Sequence, residues 1–231
     1  MQMTQKDVDL YRYERKFLVD QLDEHQTKAV IRRHPSLFYE PYPPRFVNNF
    51  YLDTPAMDNY YDNIGGSGDR RKVRIRWYGE LFGQISKPIL EFKIKQGMVG
   101  MKRHYAFPDF QVEKGYCDEY LMERIKDSSL PPEVKIILQD QEVVLLNRYF
   151  RHYYATRDER YRVTLDTHLS YYRIGRLNNT FAHRQTDHRN IVVELKYEIE
   201  HDLSAFKVSN FFPFRVTKSS KYVQGIERVY F

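Results

Sequence analysis

Charged residues recur two apart along several stretches of this chain. Two apart is the spacing that places side chains on one face of a β-strand. Lys72, Arg74 and Arg76 share one phase, opposite Val73, Ile75 and Trp77. Glu91, Lys93 and Lys95 stand opposite Leu90, Phe92 and Ile94. Arg160, Arg162, Thr164 and Asp166 stand opposite Tyr161, Val163 and Leu165. Glu194, Lys196 and Glu198 stand opposite Val193, Leu195 and Tyr197. Arg12, Glu14 and Lys16 alternate with Tyr11, Tyr13, Arg15 and Phe17. A solvated sheet face accounts for any one such strand. The recurrence, and the excess of cations over carboxylates in most sets, point instead to a surface that holds a polyanion. Arginine forks pair two phosphate oxygens and lysine acts as a mobile point charge. The few glutamates then suit a divalent cation, because Mg²⁺ and Mn²⁺ take hard oxygen ligands. Phosphoryl transfer asks for little more than in-line positioning and neutralised charge.

Strands must carry these phases. Period-two patterning predicts them over 11–19, 46–53, 70–78, 89–95, 98–107, 143–155, 160–170 and 191–198, with a short piece at 215–217. Helices are expected over 23–34, with Asp23 as cap and Pro35 as stop, and over 54–63, with Thr54 as cap. Two more are expected over 113–127 and 132–141. The pattern predicts an α+β fold: a closed antiparallel β-barrel of eight strands with peripheral helices. Its charged phases would line a hydrated bore, because like charges need water or a counter-anion when buried.

The chain has 231 residues and a formal charge of +6, and reads as a single domain over 1–231. Its 20 Tyr and 15 Phe exclude a disordered tail. One cysteine, Cys117, excludes an internal disulfide framework and a multi-cysteine zinc site. No apolar run is long enough to span a membrane as a helix, and the start lacks a signal peptide. The expected address is cytoplasmic, or peripheral at the inner face of the membrane. Gly65-Gly66-Ser67-Gly68 lacks the Lys-Ser/Thr ending of a phosphate-binding loop and reads as a strand connection. The eight His are scattered. Nucleic acid is not an expected partner, because the cations sit on alternating phases rather than in one outer stripe.

An ordered set of segments resembles one family. It runs through Tyr13-Glu14-Arg15-Lys16-Phe17, Asn49-Phe50-Tyr51-Leu52-Asp53, Val73-Arg74-Ile75-Arg76-Trp77-Tyr78-Gly79 and Leu90-Glu91-Phe92-Lys93. It continues through Tyr161-Arg162-Val163-Thr164-Leu165-Asp166-Thr167, Val193-Glu194-Leu195-Lys196 and Ser219-Ser220-Lys221-Tyr222-Val223-Gln224-Gly225. The chain resembles the triphosphate tunnel metalloenzymes, specifically the catalytic domain of the vacuolar transporter chaperone (VTC) polyphosphate polymerases. That resemblance implies the triphosphate tunnel fold and transfer of the ATP γ-phosphate to a growing inorganic polyphosphate chain. It implies Lys16, Arg74, Arg76, Lys93, Arg151, Arg162, Lys218 and Lys221 as phosphate-binding, catalytic cations, with Lys102 a looser match. Lys72, Lys196 and Ser220 join the phosphate- and nucleotide-binding set. Glu194 is implied as the principal, catalytic metal ligand for Mn²⁺ or Mg²⁺, assisted by Glu14 and Glu91. ATP and polyphosphate are the implied ligands.

The chain lacks the inositol-phosphate-sensing region and the membrane spans of eukaryotic members, so a separate membrane-protein partner is expected. Arg12 stands where the adenylate cyclase and thiamine triphosphatase branch has its first Glu, which favours the long-anion branch. An inorganic or nucleoside triphosphatase, and a non-catalytic polyphosphate- or nucleotide-binding subunit of a membrane complex, remain the alternatives. Asp166 is read as a partner that orients Arg162 rather than as a metal ligand.

Overall fold

The computed structural model describes residues 12–96 and 99–231. The predicted strand starts at Tyr11 and Met98 lie outside the described residues. The elements run β1 (Arg12–Val19), α1 (Glu24–Arg32), β2 (Arg45–Asp53), α2 (Asp58–Ile64), β3 (Arg70–Tyr78), β4 (Gly83–Ile85), β5 (Ile89–Gln96), β6 (Val99–Ala106) and β7 (Phe110–Val112). They continue with α3 (Asp118–Lys126), α4 (Pro132–Gln139), β8 (Glu142–Ala155), β9 (Tyr161–Arg173), β10 (Arg184–Asp187) and β11 (Ile191–Glu198). A 3₁₀ turn at Ile199–His201 leads into α5 (Asp202–Asn210), and α6 (Lys221–Tyr230) follows.

Hydrogen-bonded neighbours follow the order β1-β11-β9-β8-β2-β3-β5-β6, with β10 beside β9 and a separate β4-β7 pair. The fold is mixed α+β. Strand β11 pairs antiparallel with β1 and β9, and β3 and β5 pair antiparallel with their neighbours β2 and β6 and with each other. The expectation of a closed eight-stranded barrel is corrected, because this order has two ends, β1 and β6. Each end has a physical stop. Val216 bridges to Phe17 on β1, and the Thr217 N–H donates to the Lys16 carbonyl at 2.8 Å. On β6, Met101, Lys102 and Arg103 are exposed, and exposed cations on an edge discourage further pairing.

The chain divides into two compact units. The first holds the described residues up to Arg45, with Phe150–Leu169 and Asp187–Ser219. In it, β11 lies between β1 and β9. Phe17 faces Val193, which faces Leu165; one step along, Lys16 faces Glu194, which faces Thr164. Because strand side chains alternate, the first row goes to one face and the second to the other. The apolar row is buried with Ile31 and Phe38 from α1 and its following loop, and with Ala205, Val208 and Phe212 from α5 and its end. Burying a side chain such as Phe17 or Val193 contributes roughly 1.5–3 kcal/mol. Asp23 begins α1 as expected: its side chain accepts from the Gln26 N–H at 2.8 Å, and the Gln26 side chain accepts from the Asp23 N–H at 2.9 Å.

The second unit holds Phe46–Tyr149, Ser170–Thr186 and Ser220–Phe231. Here β3 lies between β2 and β5. Ile75 pairs with Phe50 and Leu90, while Arg74 pairs with Tyr51 and Glu91. The apolar row packs with Leu121 and Ile125 of α3 and Val134 and Leu138 of α4. Pro132 opens α4, where its missing N–H costs nothing. Helix α3 begins at Asp118 rather than at the predicted 113, since Gly115 turns the chain at φ +95° and Tyr116 bridges to Asn179. Helix α2 begins at Asp58 rather than at the predicted 54, with Met57 and not Thr54 at its cap position, although Thr54 Oγ1 accepts from the Asp58 N–H at 3.1 Å. Yet Asp53 does more at the start of α2, accepting from the Asn59 and Tyr60 N–H groups at 2.9 and 3.0 Å. Its Oδ2 also takes the Tyr222 hydroxyl, which ties α6 to the end of β2.

Among the described residues, no helix is long and apolar enough to cross a membrane.

Candidate functional site

In the first unit, β1 and β11 bring four charges together. Lys16 Nζ lies 3.4 Å from Glu194 Oε1 and 3.8 Å from Glu14 Oε2. Lys196 Nζ lies 3.1 Å from Glu194 Oε2 and 4.0 Å from Glu14 Oε1. The register dictates this checkerboard, since Lys16 faces Glu194 and Glu14 faces Lys196. Arg151 adds a third cation, its Nη2 3.9 Å from Glu194 Oε2. The Glu194 side chain is only 8% exposed, so its charge depends on these neighbours. Lys16 Nζ also donates to the Ser219 carbonyl at 3.3 Å, and Lys218 beside it is exposed.

Asp166 is fully buried and takes both nitrogens of Arg151, Nε at 2.6 Å and Nη2 at 2.7 Å. Its partner is therefore Arg151 on β8, not Arg162. Arg162 faces Lys196 across the β9–β11 ladder, but its guanidinium rests 3.2 Å from Glu159 on an exposed rim.

In the second unit a ladder of cations crosses three strands. Lys72 pairs with Lys93, which pairs with Lys102. This fixes the phase of Lys102 on the cationic side, with Arg103 opposite Phe92 on the other side. Beside the ladder, Glu91 takes Arg74 Nε at 2.6 Å and Arg76 Nη1 at 3.4 Å. Burial alone would raise the Glu91 carboxyl; Arg74, Arg76 and Lys102 outweigh it and hold the carboxyl well below the usual carboxylate range. Burial would likewise lower Arg74, but Glu91 outweighs it and raises the guanidinium further. Ser220 caps α6, accepting from the Val223 N–H at 3.4 Å, and its Oγ also accepts from Lys72 Nζ at 2.9 Å. Lys221 Nζ sits 5.0 Å over the Tyr149 ring.

Two members of this face were not singled out from the sequence. Asn49 Oδ1 accepts from Arg76 Nε at 2.9 Å, and the Tyr149 hydroxyl accepts from Arg76 Nη2 at 3.2 Å. Asn49 faces Arg76 in register, so its strand phase was the available signal.

The carboxylates differ in what they can hold. Glu194 and Glu14 share the same two ammonium groups and offer hard oxygens, a donor set that suits a divalent ion completed by phosphate oxygens. Glu91 is engaged by two guanidinium groups. Separately, the ligand atoms of Glu198, Glu200 and His201 lie within 4.8 Å of one another, a grouping that strand phase alone does not reveal.

The family model for the VTC domain matches residues 11–230, nearly the whole chain. The chain belongs to the VTC domain family. Among solved structures, this VTC domain is similar to the PH1819 protein of Pyrococcus horikoshii OT3, at 13% identity and a TM-score of 0.51, over 94% of this chain and 99% of that one. At that identity the likeness shows the fold. Looser likenesses are to a candidate adenylate cyclase of Vibrio parahaemolyticus (9% identity, 93% and 98% covered, TM-score 0.49) and to the Pct1 RNA triphosphatase of S. pombe (9%, 86% and 75%, 0.31). No curated protein matches the chain at a significant level.

Proposed function

We propose that this VTC domain is a metal-dependent polyphosphate polymerase that transfers the ATP γ-phosphate to the end of an inorganic polyphosphate chain. The observation that carries the reading is the near-buried Glu194 carboxylate with Lys196, Lys16 and Arg151 at 3.1, 3.4 and 3.9 Å. Glu14 and Glu194 balance the two lysines, so a divalent ion taken up by these carboxylates would release both ammonium groups to phosphoryl oxygens. In the reaction, a terminal phosphate oxygen bonds to the γ-phosphorus as the β–γ bridging oxygen leaves with ADP. The attacking oxygen is already anionic, so no strong base is needed. Lys16, Lys196 and Arg151 would bind phosphoryl oxygens in the first unit. Lys72, Arg74, Arg76, Lys93, Lys102, Ser220 and Lys221 would do so in the second, with Arg162 and Lys218 as further phosphate contacts of the first. Glu194 and Glu14 would hold Mn²⁺ or Mg²⁺. A divalent ion bound there supplies charge neutralisation on the transferred group.

The test is incubation of the protein with ATP and Mn²⁺, with chain length and ADP measured together. Long chains with matching ADP are expected. Free phosphate alone would make the protein a triphosphatase, and tight binding without turnover would make it a non-catalytic subunit. Glu194→Gln is expected to lower turnover by at least about 100-fold while keeping most of the tripolyphosphate affinity. Full turnover in that variant would mean that Glu194 does not hold the catalytic metal.

A further inference from the structure

Arg76 on β3 is only 7% exposed, and each of its three nitrogens has a partner. Nε donates to Asn49 Oδ1 at 2.9 Å, Nη1 to Glu91 Oε1 at 3.4 Å and Nη2 to the Tyr149 hydroxyl at 3.2 Å. A guanidinium carries five N–H groups, so among the described residues these bonds leave one on each terminal nitrogen. Behind Arg76 runs a line of amides. Asn49 Nδ2 donates to Asn147 Oδ1 at 3.3 Å, and Asn147 Nδ2 donates to the Ser170 carbonyl at 3.3 Å. Both asparagines are fully buried. Strand order supplies the line: β9, β8, β2 and β3 are consecutive neighbours and carry Ser170, Asn147, Asn49 and Arg76.

The direction of this line is set at both ends. Arg76 Nε can only donate, so Asn49 must turn its Oδ1 to Arg76 and its Nδ2 to Asn147. The Ser170 carbonyl can only accept, so Asn147 must turn its Nδ2 there and its Oδ1 back to Asn49. Neither amide can flip without leaving buried polar groups unpaired, which is costly. We propose that Asn147 and Asn49 are positioning residues that hold the Arg76 guanidinium in one orientation, so that its two remaining N–H groups meet phosphoryl oxygens without first being ordered. Asn147 acts through Asn49. The inference rests on the proposed phosphate-binding role of Arg76, and it holds equally for transfer to a chain and for hydrolysis. Ordering a long side chain at the moment of binding lowers affinity, and an orientation fixed beforehand removes that cost.

The experiment is a double-mutant cycle on the full chain, with tripolyphosphate affinity read by calorimetry. Arg76→Ala is expected to weaken binding by about 10–100-fold, the loss of charged hydrogen bonds. Asn49→Ala and Asn147→Ala are each expected to weaken it by about three- to tenfold, because Arg76 must then be ordered on binding. Combined with Arg76→Ala, either is expected to weaken it no further. A packing role alone would lower the urea midpoint and leave the losses in affinity additive. Where Asn147→Ala does not hold the fold, Asn147→Ser leaves a hydroxyl in the gap and takes its place. Additive losses, or parent affinity in both asparagine variants, would overturn the inference and leave the phosphate-binding role of Arg76 standing. Parent affinity in Arg76→Ala would overturn both, as would a parent protein that does not bind tripolyphosphate.

Discussion

Among the described residues, Asp118 is a carboxyl whose ionisation opposes the fold. Burial pushes it up to about 7, the Val143 N–H donated to Oδ2 offsets part of that, and Glu142 adds to it while Arg176 opposes. In the unfolded chain an aspartate titrates near about 4. As pH rises between these values the unfolded chain sheds its proton first, so stability is full at acid pH and declines toward pH 7. Asp118→Asn is expected to remove this decline and to raise the urea midpoint at pH 8 above that of the parent. Midpoints measured at pH 5 and pH 8 check this; a variant no more stable at pH 8 would contradict the burial argument. Glu91 runs the other way. Its folded value is depressed, so its contribution is present at neutral pH and fades below about 4. At this scale the sequence was legible where phase alone decides. Lys16, Glu194 and Lys196 meet because alternation and register agree. The partner of Asp166 was not legible, since Arg151 lies on β8 and sequence spacing says nothing about which strand adjoins β9.

Among the elements, α6 depends on close backbone approach. Gly225 faces Leu145 and Tyr171 so tightly that an added Cβ would collide with both side chains. A glycine in a helix interior costs about 1 kcal/mol relative to alanine, so here the packing gain outweighs propensity. Gly225→Ala should therefore destabilise by about 1–3 kcal/mol instead of stabilising. Because Ser220 and Lys221 open the same helix, weaker tripolyphosphate binding should accompany the loss. Denaturant melts and calorimetry on the one variant check both outcomes, and a variant more stable than the parent would refute the packing account. The long period-two strands were legible because burial on one side imposes alternation. Strands β4 and β7 have three residues each, too few to show a period. Helix α5 escaped notice because Leu203 and Phe206 face outward, which blurs its apolar stripe.

For the molecule as a whole, the formal charge of +6 is modest, and the cations that matter are grouped by strand phase. Attraction of a phosphate chain to such faces is screened within about 8–10 Å at physiological salt. Tripolyphosphate affinity should therefore fall steeply, by at least about tenfold between 50 and 300 mM salt, while the urea midpoint moves little. Equal sensitivity of both would mean that salt acts on the fold and not on the ligand. The α+β class and antiparallel pairing were legible from alternation. Closure was not, because a strand's pattern reports its two faces and not what meets its edges. At β1 that edge is met by Val216, and at β6 by no further strand of the ordered set.

The strap formed by Val216 and Thr217 also acts as a guard. It occupies backbone groups of β1 that would otherwise offer a docking line to a strand from another molecule. Thr217→Pro, which removes the N–H donated to Lys16 and leaves α6 in place, would uncover part of that line and invite sheet-to-sheet clumping, so the strap matters for keeping copies apart as well as for the lysine beside it.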